Sequence, residues 1–158
     1  MALRFAQADV LPFDYSNYAK TIVKHVDDLE KLLKGKFLNV DLDLTPVKKK
    51  AQEWQEACEA LERKIQSNLA ANRINPDLNQ ILMQMERDLV EAKGLPGREW
   101  FRHRIYAPGF YTGYASKPLP GVAEPAEDGD WNAARKELSV LLGVLDRVIQ
   151  TTRRAKGT

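Results

Sequence analysis

Four stripes of apolar residues stepping by three and four, each opened or closed by proline or glycine, constrain this chain more than any other feature. The first runs through Tyr18, Ile22, Val26, Leu29 and Leu33, behind Asp14 as cap and before Gly35 as stop, and predicts a helix over about 14–34. The second starts at Thr45 as cap with Pro46 in the first helical position. It then sets Val47, Ala51, Trp54, Cys58, Leu61, Ile65 and Leu69 on one face, giving a helix over about 45–72. Asn75-Pro76 repeats that start, and Leu78, Leu82, Met85 and Leu89 extend a third helix over 76–93, where Gly94 stops it. A fourth, over 130–155, carries Trp131, Ala134, Leu138, Leu141, Leu145 and Val148. Gly143 weakens it slightly and offers a small residue for close helix packing. No segment alternates with a strand period long enough to build a sheet. The pattern therefore predicts an all-α fold, an up-and-down four-helix bundle.

Composition bounds what such a bundle can do. At 158 residues the chain can bury roughly 70% of its unfolded surface, so one core suffices. One cysteine excludes an internal disulfide framework and a multi-cysteine zinc site. Twenty-four Lys and Arg against 22 Asp and Glu leave a net charge of +2, which gives no reason to expect nucleic acid as partner. No apolar run approaches the roughly 20 residues of a membrane span, so no membrane contact is expected of this domain, and residues 1–12 lack the pattern of a signal peptide.

The region between the third and fourth helices breaks the pattern. Residues 94–129 hold five of the eight prolines, six of the nine glycines and, from Trp100 to Tyr114, six of the thirteen aromatics. A connection this long is usually functional or disordered, and its aromatic content argues against a solvated tail. It is expected to form an irregular strap lying along a surface, with Lys117–Gly129 as an extended connector.

A search for chemistry finds little. His25, His103 and Cys58 are far apart, and a pairing of His25 with Asp28 fits a solvated helix face better than a metal site. Cys58 lies in an apolar stripe and reads as an inert core thiol. There is no phosphate loop, nucleophile elbow or paired carboxylate motif. Neither a catalytic residue nor a metal ligand is assigned, and no cofactor is expected within the chain. Lys48, Lys49 and Lys50 read as a solvated helix face, and Arg153, Arg154 and Lys156 as charges favourable at a helix C-terminus. Arg98, Arg102, His103 and Arg104 interleave with Trp100, Phe101 and Tyr106. These arginines either bind carboxylates beside the aromatics or pin the strap to acidic residues and helix ends.

The strap's sequence carries a resemblance. Gly94-Leu95-Pro96-Gly97-Arg98, Phe101-Arg102-His103-Arg104-Ile105-Tyr106-Ala107-Pro108, Tyr114-Ala115 and Leu119-Pro120-Gly121 resemble the C-terminal helical domain of glutamate carboxypeptidase II and its relatives, also called the transferrin-receptor-like dimerisation domain. Leu3-Arg4-Phe5-Ala6, Val10-Leu11-Pro12-Phe13-Asp14 and Tyr18-Ala19 resemble the junction at which that family's peptidase domain ends. The resemblance implies a remnant of that junction in residues 1–13, following an added start at Met1-Ala2, and a helical dimerisation domain in 14–158. It further implies a non-catalytic piece of a co-catalytic zinc carboxypeptidase. Two zinc ions would lie in the upstream peptidase domain, with an apical domain as a further partner, homodimerisation in the full-length context, and a membrane-anchored ectodomain facing the exterior or an endomembrane lumen. In this family a lysine and a following tyrosine of the strap hold substrate carboxylates. The tyrosine matches Tyr114, whereas Gly113 stands at the lysine position and Thr112 before it; Lys117 is the next cation along. Trp100, Arg102, His103, Tyr106 and Tyr111 are the interface candidates. A transferrin-receptor-like protein without peptidase activity is the alternative parent, and a free-standing four-helix adaptor a third possibility.

Overall fold

The computed structural model describes residues 8–73, 75–110 and 115–157. The described chain is mostly helical, with five helices and a two-stranded ribbon: α1 (Tyr15–Lys36), α2 (Thr45–Ala70), α3 (Leu78–Asp88), β1 (Tyr106–Pro108), β2 (Ser116–Pro118), α4 (Pro120–Glu127) and α5 (Trp131–Gly157).

The helix starts follow local chemistry. Asp14 caps α1, its carboxylate accepting the Asn17 N–H at 2.9 Å and the Ser16 hydroxyl at 3.1 Å. Asp130 does the same for α5 through the Ala133 N–H at 2.9 Å. At α2 the expected cap is displaced: Thr45 is the first helical residue, and the Asp43 carboxylate accepts its N–H at 2.9 Å. Pro46 sits in the first turn, where its missing N–H costs nothing. Gly35 lies inside the last turn of α1, which ends when Phe37 turns extended. Helix α2 closes with Asn72 in the left-handed region at φ 52°, where the Arg73 N–H reaches the Asn68 carbonyl at 2.8 Å and the Asn72 N–H the Leu69 carbonyl at 3.0 Å.

The third helix is shorter than its stripe. It ends at Asp88 because residues 89–91 pair with the returning strap: the Arg104 N–H donates to the Leu89 carbonyl and the Glu91 N–H to the Arg102 carbonyl, both at 2.9 Å. Gly94 is the pivot of that return, at φ 66°.

Packing centres on two long helices. Helix α1 packs on α2, α2 on α5, and α5 also receives α3 and α4. The core runs through Ile22, Val26 and Leu33 of α1, Val47, Ala51 and Trp54 of α2, Met85 of α3 and Val144, Leu145 and Val148 of α5. Trp54 is fully buried and its indole N–H donates to the Thr152 hydroxyl at 3.0 Å, so the ring brings no unpaired donor into the core. Gly143 faces open space, so close helix packing is not its role.

Two features of the strap depart from expectation. Residues 106–108 and 116–118 pair antiparallel, with Ala107 opposite Lys117, in strands too short for any periodicity to register. The span read as an extended connector contains α4. Pro120 occupies the first turn, where its missing N–H costs nothing, whereas Pro125 lies inside the helix and removes one of its hydrogen bonds. Val122, Ala123 and Ala126 are buried.

Candidate functional site

The arginines of the strap act as internal pins. Arg104 is 5% exposed, and one guanidinium nitrogen meets the Glu137 carboxylate of α5 at 2.6 Å while another donates to the Gly94 carbonyl at 2.6 Å. Burial pushes the Glu137 carboxyl above its ordinary value, and the Arg104 charge opposes that rise. Gly121 fits over this pair: a Cβ there would lie 2.7 Å from the Glu137 carboxylate.

Arg98 is buried alike, between the rings of Phe101 and Phe110 at 5.6 and 5.2 Å. It donates to the Pro108 carbonyl and to Glu124 of α4, each at 2.5 Å. The other oxygen of Glu124 accepts the Phe110 N–H at 2.8 Å. One turn along α4, Glu127 takes the ammonium of Lys117. The short helix therefore holds both legs of the ribbon, through two carboxylates on one face. Lys117, the next cation after the Gly113 position, is directed into this contact.

The aromatic side of the strap rests on α1. Tyr106 stacks on Tyr18 with ring centroids 6.0 Å apart, and its hydroxyl meets His25 Nε2 at 2.8 Å. The His103 ring also lies near-parallel to Tyr106, with centroids 6.3 Å apart. Its Nδ1 accepts the N–H groups of Ile105 and Tyr106, both at 3.2 Å, which places the proton of the neutral ring on Nε2. That nitrogen faces Glu86 of α3 at 3.3 Å and the Tyr18 hydroxyl at 3.4 Å. Both histidines of the chain thus converge on Tyr106. Burial holds His25 below its ordinary value, while Asp28 pulls the other way.

Of the interface candidates, His103 and Tyr106 are brought together and engaged within the chain, whereas Arg102 and Trp100 face outward. Trp100 is 70% exposed and leans on Phe101 at 5.8 Å. Tyr111, Thr112, Gly113 and Tyr114 lie outside the described residues, as do Leu3, Arg4, Phe5 and Ala6 of the junction motif. Sequence reasoning missed Glu124, Glu127 and Glu137; the arginines signalled that partners existed, but spacing could not say which acids met them.

The remaining candidates have structural partners. Lys48 bridges α2 to Asp27 and Glu30 of α1, at 2.7 and 2.9 Å, and Lys50 joins Asp146 of α5 at 2.6 Å. Burial pushes the Cys58 thiol up to about 12, which keeps it protonated and inert at neutral pH. Among the described residues no group of three or more His, Cys, Asp or Glu side chains could hold a metal ion. No helix among them is long and apolar enough to cross a membrane.

Pinned strap, helical scaffold and sequence motif agree on one class of domain. The family profile of the transferrin receptor-like dimerisation domain matches residues 36–153, and the chain belongs to that family. It is 34% identical over 134 residues, 82% of its length, to a probable glutamate carboxypeptidase of Arthroderma benhamiae, and covers 18% of that protein. It is 31% identical over 153 residues, 85% of its length, to a probable glutamate carboxypeptidase of Arabidopsis thaliana, covering 21% of it. A shorter match, 36% identical over 69 residues and 44% of this chain, covers 9% of an inactive zinc metalloprotease of Schizosaccharomyces pombe. The chain spans about a fifth of the length of the carboxypeptidase relatives it matches.

Proposed function

We propose that this chain is the dimerisation and substrate-pocket-completing domain of a glutamate carboxypeptidase-like zinc metallopeptidase, and that it is itself non-catalytic. The observation that carries this reading is the family match over residues 36–153 in a chain about one fifth as long as relatives named carboxypeptidases. In this reading residues 1–13 are the end of the peptidase domain and 14–158 the helical domain. Helices α1, α2, α3 and α5 serve as a four-helix scaffold, and 94–129 is the strap. The peptidase domain carries two zinc ions, the apical domain and a second subunit are the further partners, and the whole is anchored in a membrane with its ectodomain outside or in a lumen.

Within the strap Tyr114 contacts the substrate through its hydroxyl, while Trp100, Arg102, His103, Tyr106 and Tyr111 form or support the interface. A glycine at 113 supplies no ammonium for a substrate carboxylate, so preference for acidic C-terminal residues falls below that of lysine-bearing relatives.

The test is a release assay on N-acetylated dipeptides ending in glutamate or in a neutral residue, with added zinc. The isolated chain is expected to show none, and the full-length parent zinc-dependent release. Turnover by the isolated chain, or a zinc-loaded parent without any, would overturn the reading.

A further inference from the structure

The contact between α3 and the end of α5 leaves an open groove of about 690 Å³. Its walls are two matched stripes: Gln80, Gln84 and Arg87 on α3, and Arg147, Gln150 and Arg154 on α5. Each stripe repeats at three or four residues, so each presents its polar groups along one line.

The charge is unbalanced in a specific way. Asp88 is the single carboxylate of the lining, and both its oxygens are taken: one accepts the Gln84 amide at 2.8 Å and the other the Thr151 hydroxyl. Arg147 is partly satisfied by Glu91 at 3.3 Å and by the Val90 carbonyl at 3.0 Å. The side chains of Arg87 and Arg154 have no hydrogen bond or ion pair among the described residues, although Arg153 beside Arg154 pairs with Glu53 at 2.7 Å. Each of the two lies in the last turn of its helix, where a cation is favourable, but that explains their tolerance and not their shared groove.

Spacing selects the ligand. Arg147 and Arg154 are seven residues apart on one helix, a rise of about 10 Å. Arg87 stands at the Arg147 end, because the carbonyl of its neighbour Asp88 accepts from Arg147 at 3.4 Å. Two cationic positions about 10 Å apart along the helix, with amide side chains between them, match carboxylates three residues apart on a segment in the extended polyproline II conformation, whose threefold repeat returns every third side chain to one side at about 3.1 Å per residue. The glutamines can meet the intervening backbone, and guanidinium pairs carboxylates with two parallel bonds.

We propose that this groove binds an extended acidic polypeptide segment with carboxylates at positions i and i+3. The proposal does not rest on any catalytic role of the parent.

The test is fluorescence anisotropy of the chain with a labelled, otherwise uncharged peptide bearing two glutamates three residues apart, against one with the glutamates adjacent. The spaced peptide is expected to bind about fivefold or more tightly than the adjacent one, and Arg154→Gln or Arg87→Gln to weaken it about tenfold. Lys64→Gln, an equal charge change on an exposed site of α2, is expected to leave it unchanged. Thermal melts of each variant check the fold, which these exposed side chains do not support. Equal binding of both peptides, equal loss in Lys64→Gln, no saturable binding up to about 1 mM, or equal competition by inorganic phosphate or anionic lipid vesicles would overturn the proposal.

Discussion

Gly94 shows how much one residue can decide. It turns the chain out of the third helix at φ 66°, and an added Cβ would stand 2.1 Å from the Glu99 carbonyl oxygen. Backbone cannot yield as a side-chain end can, and the left-handed region is itself costly for alanine. Gly94→Ala is therefore expected to destabilise the fold by at least about 2 kcal/mol, read by urea denaturation. Gly97→Ala supplies the contrast: its φ is 69° but nothing lies within 4 Å, so only the backbone cost of about 1 kcal/mol applies. A similar loss in both variants would mean that the contact with Glu99 is not what fixes Gly94. His25 makes the second argument at this scale. Burial lowers its folded value, so the neutral form is preferred in the folded state. The stability it contributes is complete above its unfolded value of about 6.5 and declines as pH falls through that value toward the lowered one. Thermal melts between about pH 7.5 and pH 5 are expected to show a shallower acid loss in His25→Gln than in the native chain. Equal slopes would remove His25 as the source.

At the scale of elements, α4 is the part whose work exceeds its size. Glu124 and Glu127 stand one turn apart and hold opposite legs of the ribbon, but in different surroundings. The Arg98–Glu124 pair is largely buried, so neutralising Glu124 leaves a guanidinium without its counter-charge, a loss of about 3 kcal/mol for Glu124→Gln. The Lys117–Glu127 pair is closer to solvent, and Glu127→Gln is expected to cost no more than about 1 kcal/mol. Amide exchange at Phe110 should accelerate in the first variant and not in the second. Unchanged protection in Glu124→Gln would deny it the anchoring role.

The same element marks where sequence reading stops. Helices α1, α2 and α5 were legible because many apolar steps reinforce one another over 22 to 27 residues, with an aspartate cap opening α1 and α5 and Pro46 opening α2. Helix α4 has eight residues, two prolines and a glycine, and its buried Val122, Ala123 and Ala126 are too few to outweigh that composition. The end of α3 was misplaced for a related reason: Leu89 continues the stripe, yet its carbonyl is claimed by Arg104 from the strap, a contact no local pattern encodes. In the candidate site the motif identified the strap and its arginines. Which acids they meet depends on how α4 and α5 are folded together.

For the whole molecule, the question is how a dimerisation domain behaves by itself. Its largest apolar side chains are spent internally, on the contacts of α5 with α2, α3 and α4. The large hydrophobics left outside belong to separate elements, including Leu32 on α1, Met83 on α3 and Trp100 and Phe110 on the strap. Among the described residues the strap gathers two of them, where Trp100 and Phe110 flank the ring of Phe101 and the guanidinium of Arg98. A specific interface buries at least about 1,000 Å², and one aromatic cluster of this size falls short of it unless a second surface completes the contact. In the proposed parent a second subunit would supply that surface. Sedimentation of the isolated chain is therefore expected to give a monomer at about 10 μM, with association appearing only near about 1 mM and reduced by Trp100→Ser. Trp100 is so exposed that this substitution should leave the melting temperature unchanged. A tight dimer that survives Trp100→Ser would show that the domain carries a complete interface of its own, on a face other than the strap.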